Sequence, residues 1–278
     1  MANLGFKPKG MGVFDELLVV PAAEPIIDCT GTPDKAAVAF VEGELKDRGE
    51  SHGLGHTLRV RHLSLEIWDA GNPFTEAFNQ CADAGMDPMR VVEFAALLHD
   101  VCDHKYVDAA TASGAAAIAR RDAFLAAHAS AAEADACVRI IAEVSYSREA
   151  KALRHGEKPG WRALEEPLRT LRHVVSDADK LDAIGPAGLR RCIEYRQESA
   201  APGASLDARA VVEDVAAHCD EKLLLLAPKF IHTAGGKALA KSEHDFLARW
   251  RERARAALGG APAATTDKPP QPRATAVA

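Results

Sequence analysis

The sequence lacks several features that would each indicate a class of protein. Aromatic residues make up 5% of the 278 residues, so no row of stacking side chains marks a nucleobase platform. No run of about 18 apolar residues occurs, which argues against a transmembrane span. The formal net charge is −6. We therefore expect neither a nucleic-acid polymer nor a membrane as the partner, because both favour a basic surface.

The cysteines form no recognisable framework. There are six, at Cys29, Cys81, Cys102, Cys137, Cys192 and Cys219. None belongs to a CxxC pair or to a short spacing typical of zinc sites and disulfide-rich domains. The first residues, MANLGFKPKGMGVFDELLVV, have neither a charged leader before a long apolar run nor an Arg- and Ser-rich pattern. We expect reduced thiols in a cytoplasmic protein.

Apolar residues recur mainly at helical spacing, and alternating β-branched runs are nearly absent, which predicts an all-α fold. Thr32-Pro33 has the pattern of an N-cap followed by proline at the first helical position, so we expect regular structure to begin there. The predicted helices run from Thr32-Pro33 to Gly49, over 54–70, from Asp87-Pro88 through LLHDVCDHKY, and over 107–127, 132–146, 165–184, 207–227 and 236–258.

Composition divides the chain into three parts. Residues 1–31 are punctuated by Pro and Gly and are predicted to be an arm that lies on the domain. Residues 32–258 carry the helical pattern and form the domain. From residue 259 the chain reads GGAPAATTDKPPQPRATAVA, a Pro- and Ala-rich tail without an apolar face, which we expect to be disordered.

One predicted helix places a histidine on its apolar side. His56, Val60, Leu63 and Ile67 follow one another at spacings of four, three and four residues, so His56 shares the face that should be buried. A lone histidine of this kind is usually an ordinary core or cap residue. His52 and His56 also have the spacing of a zincin, but that motif needs Glu after the first His, and position 53 is Gly.

The stretch LLHDVCDHKY, residues 97–106, ends an apolar run with groups that are costly to bury. His99 continues the apolar face of Val92 and Ala95, and Asp100 lies about 100° further around the helix. An unpaired buried carboxylate costs several kcal/mol, which a cation can offset. The alternative is that the helix ends just after residue 101, which would leave Asp100 and Asp103 in solvent.

A third cluster lies in VVSDADKLDAIG, residues 174–185. Asp179 and Asp182 share one helical side with Val175, and Asp177 is displaced from it. Three aspartates in six residues, among Val, Ala, Leu and Ile, are unusual for a solvated face, which normally mixes both signs of charge. Together, the three clusters supply imidazole and carboxylate groups from separate helices, a ligand set typical of a divalent metal site.

These segments resemble the HD-domain metal-dependent phosphohydrolase superfamily, whose pattern is one His, an adjacent His-Asp pair and a distant Asp. The blocks are HGLGHTLRV (52–60), AALLHDVCDHKY (95–106) and DADKLDAIG (177–185). The resemblance extends over about residues 35–255 and is nearest to small bacterial HD hydrolases that include nucleoside triphosphate pyrophosphohydrolases. It implies an HD-domain helical bundle with a metal site between helices.

The resemblance implies four metal ligands, which are His56, His99, Asp100 and Asp179. Asp179 is preferred to Asp177 because the superfamily's last ligand usually follows a small residue, as Asp179 follows Ala178. We expect one divalent ion, and the sequence does not distinguish among Mn, Mg, Fe, Co, Ni and Zn. The family's first block often reads His-Asp, whereas here Gly53 follows His52, so a carboxylate that could support the first ligand is missing.

The resemblance also implies roles in catalysis and phosphate binding. Asp103 is expected to be the general base that orients the attacking water or takes its proton. Lys105 is the first candidate to meet phosphate charge and contributes to catalysis, and Arg59 and Lys180 are further substrate-binding candidates. Arg148 and Lys151 are interpreted as surface cations.

We therefore predict a divalent-metal phosphohydrolase acting on a nucleotide or related phosphorylated small molecule, with pyrophosphate release from nucleoside triphosphates preferred. One alternative is a di-iron HD oxygenase, which needs extra histidines. The candidates, His104, His128, His155 and His173, stand in no block that resembles the two-metal pattern. The other alternative is a non-catalytic HD module that binds a nucleotide. The sequence does not predict the oligomeric state.

Overall fold

The computed structural model describes residues 12–21, 31–46, 48, 52–70, 74–103, 107–198 and 207–259. The α-helices are α1 (Val13–Leu18), α2 (Lys35–Leu45), α3 (Leu54–Ala70), α4 (Thr75–Asp83), α5 (Pro88–Leu98), α6 (Ala112–His128), α7 (Ala131–Ala142), α8 (Tyr146–Arg154), α9 (Leu168–Asp182), α10 (Gly185–Glu198), α11 (Ala208–His218), α12 (Leu224–Phe230) and α13 (Ala234–Ala257). A 3₁₀ turn covers Gly160–Ala163, and a π-helical turn, Cys219–Leu223, joins α11 to α12. These ranges contain no strand, so the all-α prediction is confirmed.

Helix α5 lies at the centre of the bundle. Asp87 caps its first turn by accepting a hydrogen bond from the Met89 backbone N–H at 2.9 Å, and Pro88 occupies the first helical position as predicted. Its apolar side chains are buried nearly all round, which is typical of a helix in the interior of a bundle. Residues that leave the end of α5 therefore emerge inside the core.

Helices α3 and α9 pack against α5 and against each other. In α9, Leu171, Val174, Val175 and Ala178 have no exposed surface. Helix α13 covers α9 and α10, and Thr233 caps it by accepting a hydrogen bond from the Gly236 N–H at 3.0 Å. This packing brings together the three helices that carry the HGLGHTLRV, AALLHDV and DADKLDAIG segments.

The structure corrects the predicted start of regular structure. Helix α2 begins at Lys35, and its cap is Asp34, whose carboxylate accepts from the Ala37 N–H at 2.9 Å, so Thr32 is not the cap. The region predicted as an irregular arm contains α1, which is anchored where the Trp250 indole donates to the Leu17 carbonyl at 2.8 Å. A short helix with one buried leucine gives too weak a periodicity to be found from sequence.

Several predicted segments also divide differently. The segment 132–146 ends at Ala142, and α8 follows it. The segment 107–127 starts later, at Ala112, and 207–227 is interrupted by the π-helical turn. Helices α4 and α10 were not predicted. In the described part of the chain the cysteines are free, at Cys81, Cys102, Cys137, Cys192 and Cys219, as expected.

Some predictions fall outside the described ranges. These are Lys105, His104, Cys29, most of the arm and the tail from residue 260. The division into arm, domain and tail stays a prediction. Over the described residues, none of the helices has the length and apolar character needed to cross a bilayer.

Candidate metal centre

The four side chains of the HD pattern meet where α3, α5 and α9 adjoin. His56 lies in the first turn of α3, His99 and Asp100 follow the last residue of α5, and Asp179 lies in the last turn of α9. The His56 Nε2 atom is 3.2 Å from the His99 Nε2 atom and 3.5 Å from a carboxylate oxygen of both Asp100 and Asp179. His99 Nε2 lies 3.4 Å from Asp100 and 3.8 Å from Asp179.

The end of α5 decides between the two interpretations of LLHDVCDHKY, which are a buried metal-binding pair and a solvated helix end. Helix α5 stops at Leu98, yet Asp100 is only 6% exposed and His99 only 8%. Ending the helix therefore does not place Asp100 in solvent, as the simpler alternative required. The turn directs Asp100 back toward His56, where its carboxylate is buried among imidazoles.

Hydrogen bonds fix which nitrogen of each histidine faces the cluster. His99 Nδ1 lies 2.8 Å from the Ala96 carbonyl, which can only accept, so Nδ1 carries the proton. His56 Nδ1 lies 2.8 Å from a carboxylate oxygen of Asp182 and donates in the same way. In the neutral rings both Nε2 atoms then present lone pairs to each other and to two carboxylates.

Lone pairs gathered at this distance repel unless a positive charge lies among them. A proton on His56 is one solution. Burial alone lowers the pKa of His56, but hydrogen bonds to Asp179 and Asp182 outweigh burial and raise it to about 9. A divalent cation is the other solution, and mixed imidazole and carboxylate donors suit such an ion. The residues present therefore fit a metal, with one candidate group formed by His56, His99 and Asp179.

The carboxylates of the cluster are held ionised. Burial raises the pKa of Asp100 and of Asp179, but the neighbouring histidines more than compensate and bring both well below the usual range. For Asp182, burial is likewise outweighed, by His56 and the Arg191 and Arg59 guanidinium groups. Ionised carboxylates and unprotonated Nε2 atoms are the forms that bind metal.

Asp182 is a supporting residue that sequence reasoning missed. Besides His56, it accepts from Arg59 Nε at 2.6 Å and from Arg191 Nη1. It supplies the outer carboxylate that Gly53 cannot, and so orients the first ligand from a different helix. The signal was present, because Asp182 follows Asp179 by three residues on the same helical side.

His52 also reaches the cluster. Its Nδ1 lies 3.0 Å from Asp100 Oδ2, and its side chain is 26% exposed. His52, His56 and Asp100 form a second group whose ligand atoms lie close enough to share an ion. Helical spacing predicts that His52 lies on the same side as His56, but His52 is not among the predicted site residues.

Asp177 is structural. Its carboxylate is fully buried and accepts from the backbone N–H groups of His232 and Thr233, and from the Thr233 hydroxyl at 2.7 Å. It thereby fastens α9 to the start of α13. Asp179, one turn from Asp182, lies beside His56 and His99 instead.

The cluster forms part of the wall of a cavity of about 670 Å³. Asp103, half-buried just after Asp100, lines this cavity, and so does Lys180. Arg148 and Arg121 line it as well, and Arg148 is at the same time exposed, as expected of a surface cation. Arg59 does not line it, and its guanidinium contacts Asp182. The volume is in the range of small-molecule sites.

Lys180 is 1% exposed, and its ammonium belongs to a buried polar network beside the cavity. Its ammonium donates to the carbonyls of Ser176 and Val144 at 3.2 and 3.4 Å, and lies 3.9 Å from Glu149. Burial lowers the pKa of Lys180 to about 8. Glu149 also accepts from Arg172 at 3.0 Å. These contacts fix the segment before α8, which lines the cavity.

The chain is similar to proteins of known structure. It is 27% identical over 208 residues to the uncharacterised protein YpgQ of Bacillus subtilis, covering 75% of this chain and 85% of YpgQ. The YpgQ crystal structure superposes with a TM-score of 0.52 at 24% identity, covering 81% and 95%. A structure from Lactobacillus plantarum gives 0.53 at 24%, covering 80% and 94%. No family model matches the chain.

The order His, His-Asp, Asp is gathered into one cluster by three helices of an all-α bundle, which is the arrangement that the resemblance to HD-domain proteins implies. The HD-domain pattern accounts for the features that looked anomalous in the sequence. The buried His99-Asp100 pair and the aspartate-rich end of α9 lie together in one cluster.

The histidines considered for a two-metal HD domain lie elsewhere. His173 packs edge-on against Trp161 with ring centroids 4.7 Å apart, and His128 stacks on Phe124. His155 follows the last residue of α8. Among the described residues, none of these three joins a group able to share an ion with His56 or His99.

Proposed function

We propose that the protein is a divalent-metal-dependent phosphohydrolase that acts on a nucleotide or a related phosphorylated small molecule, with pyrophosphate release from nucleoside triphosphates as the preferred reaction. The observation that supports it most is the cluster of two Nε2 lone pairs and two ionised carboxylates on the wall of a substrate-sized cavity. A purely nucleotide-binding module has no need for such a donor set.

His56, His99, Asp100 and Asp179 hold one divalent ion in this proposal. When bound, such an ion supplies Lewis acidity, lowering the pKa of water and polarising a phosphoryl oxygen. The chain orients its donors for this role. Asp182 and the Ala96 carbonyl hold the Nδ1 protons of His56 and His99, so both Nε2 atoms stay available.

Asp103 acts as the general base in this proposal. It lies three residues after Asp100 on the same turn, with its backbone N–H donating to the Asp100 carbonyl at 3.1 Å, and its side chain lines the cavity. A carboxylate oxygen of Asp103 accepts the proton of the attacking water as its oxygen bonds to the α-phosphorus, while the bond from that phosphorus to the bridging oxygen breaks and pyrophosphate leaves.

Substrate phosphates are met by cations of the cavity wall. Arg121 and Arg148 line the cavity in the described part of the chain, and Lys105 is assigned the same role from its place in the second block. Lys180 contributes positive charge as a lining residue, and Arg59 acts through Asp182. A guanidinium can meet two phosphate oxygens at once, which suits Arg148 to this task, whereas Arg121 Nε and Nη2 already donate to Asp122.

The test is a panel of nucleoside mono-, di- and triphosphates assayed with Mn²⁺, Mg²⁺, Co²⁺, Ni²⁺, Fe²⁺ and Zn²⁺, scoring phosphate against pyrophosphate. YpgQ has a crystal structure in complex with ADP, and the panel therefore includes ADP. We expect metal-dependent pyrophosphate release that His99→Gln abolishes. His128→Gln, an exposed histidine at the end of α6, is the matched control and should retain activity. Oxygen consumption without phosphate release would refute the proposal.

A further inference from the structure

A second cavity, of about 480 Å³, adjoins the metal centre. It lies between α10 and the segment formed by the end of α11 and the π-helical turn. His52, Ala183, Arg191 and Lys222 line both cavities. A molecule bound at the metal centre can therefore extend past these four residues into the second cavity.

Two cations stand at the junction. Arg191 is held there by Asp182, the residue that also orients His56. Lys222 lies on the π-helical turn with its ammonium 5.1 Å from the centroid of the Tyr146 ring. Positive charge at this point, next to the metal centre, suits the phosphates of a substrate that passes from one cavity to the other.

The second cavity has a different character beyond the junction. Its further ionisable side chains include one cation, Arg196, which is paired with Asp214, and an additional carboxylate, Glu221. A pyrophosphate group would meet net negative charge there. Small apolar side chains and the rings of Tyr195 and His218 complete much of the wall. Such a wall suits an uncharged, planar group with polar edges.

The local backbone supports a binding role. The π-helical turn Cys219–Leu223 inserts between two α-helices and supplies Glu221, Lys222 and Leu223 to the wall of this cavity. Single π-helical turns cost hydrogen-bond quality and occur frequently at functional sites. Here the turn places one cation at the junction and one carboxylate inside the second cavity.

We propose that the second cavity binds the nucleobase and sugar of a nucleotide whose phosphates run past Arg191 and Lys222 to the metal centre. This rests on the proposed nucleotide phosphohydrolase function and assigns the substrate's orientation, with the leaving pyrophosphate directed toward Arg121 and Arg148. The volume is sufficient for a small-molecule moiety of this kind.

The test compares equilibrium binding of two probe types to the metal-loaded protein by calorimetry. The probes are the α,β-methylene analogues of ATP, dGTP and dUTP, which carry a nucleoside, and inorganic tripolyphosphate, which does not. Ala217→Trp fills the second cavity from an exposed position of α11. Ala127→Trp, at an exposed position of α6 that lines neither cavity, is the matched control.

We expect Ala217→Trp to raise the ratio of analogue Kd to tripolyphosphate Kd at least 10-fold, and Ala127→Trp to leave that ratio unchanged. Tyr195→Ala, which removes an exposed ring and so spares the fold, should raise the ratio about 5-fold or more, as loss of a stacking side chain does. An unchanged ratio in both cavity variants, or no binding of any analogue to the wild type, overturns the proposal. Binding is measured without turnover, so failure of hydrolysis in the substrate panel is a separate result.

Discussion

Asp182 offers the sharpest test of how the fold supports the metal centre. Its carboxylate accepts the Nδ1 proton of His56 at 2.8 Å and is buried between the guanidinium groups of Arg59 and Arg191. Asp182→Asn keeps the size of the side chain but removes its charge. The Nε2 atom of His56 then becomes a weaker donor, and its ring loses its fixed orientation.

The expected magnitude follows from the role of such outer carboxylates. Losing the hydrogen-bond partner of a ligating histidine typically lowers metal affinity about 10- to 100-fold, which corresponds to about 1.4 to 2.7 kcal/mol. We expect Asp182→Asn to fall in this range. Metal affinity is measured by competition against a chromogenic chelator, with the folded state checked by circular dichroism.

Asp177→Asn is the matched control on the same helix. Asp177 is as deeply buried as Asp182, but its carboxylate accepts from the backbone at His232 and Thr233 and touches none of the four proposed ligands. We expect Asp177→Asn to lower the melting temperature while sparing metal affinity. Equal losses of metal affinity in the two variants would refute the reasoning, since the effect would then be a general loosening of α9.

Three further outcomes are expected. Asp103→Asn should abolish turnover while metal affinity, measured with the same chelator, stays at the wild-type value. Burial raises the pKa of Glu149, but His232, Lys180 and Arg172 outweigh burial and lower it to about 2, from 4.5. Ionised Glu149 therefore contributes about 3 kcal/mol above pH 4.5, which is lost as the pH falls toward 2. Acid titration of the free energy of unfolding should show a smaller loss in Glu149→Gln, and equal slopes would contradict this. Leu97→Ala, in the centre of α5, should destabilise the protein by about 2 to 5 kcal/mol in denaturant unfolding.

The residues of the candidate His and Asp cluster stand out in the sequence because they break a helical pattern. His56 and His99 occupy apolar faces, and the aspartates of α9 interrupt a run of small and aliphatic residues. A group that is costly to bury is informative when its surroundings are apolar.

What could not be predicted depends on distant packing. The resemblance places a supporting carboxylate directly after His52, where this sequence has Gly53. In the structure the carboxylate that contacts His56 is Asp182, which lies 126 residues after His56 in the chain. The second cavity is formed by α10 and a π-helical turn, and a π-helical turn has no periodicity to distinguish it from continuous helix. The cap of α2 is Asp34, whereas the sequence predicts Thr32. Both side chains can accept a hydrogen bond from a backbone N–H, so the local sequence does not distinguish between them.

We propose that one divalent ion, held by His56, His99, Asp100 and Asp179, supports hydrolysis of the phosphoanhydride bond that releases pyrophosphate. The most direct measurement is a metal titration of chelator-treated protein, with bound metal and hydrolysis of the best panel substrate followed together. We expect hydrolysis to return in proportion to metal occupancy and to be complete at one ion per chain. Hydrolysis that survives chelation, or that returns only with two ions per chain, would contradict it.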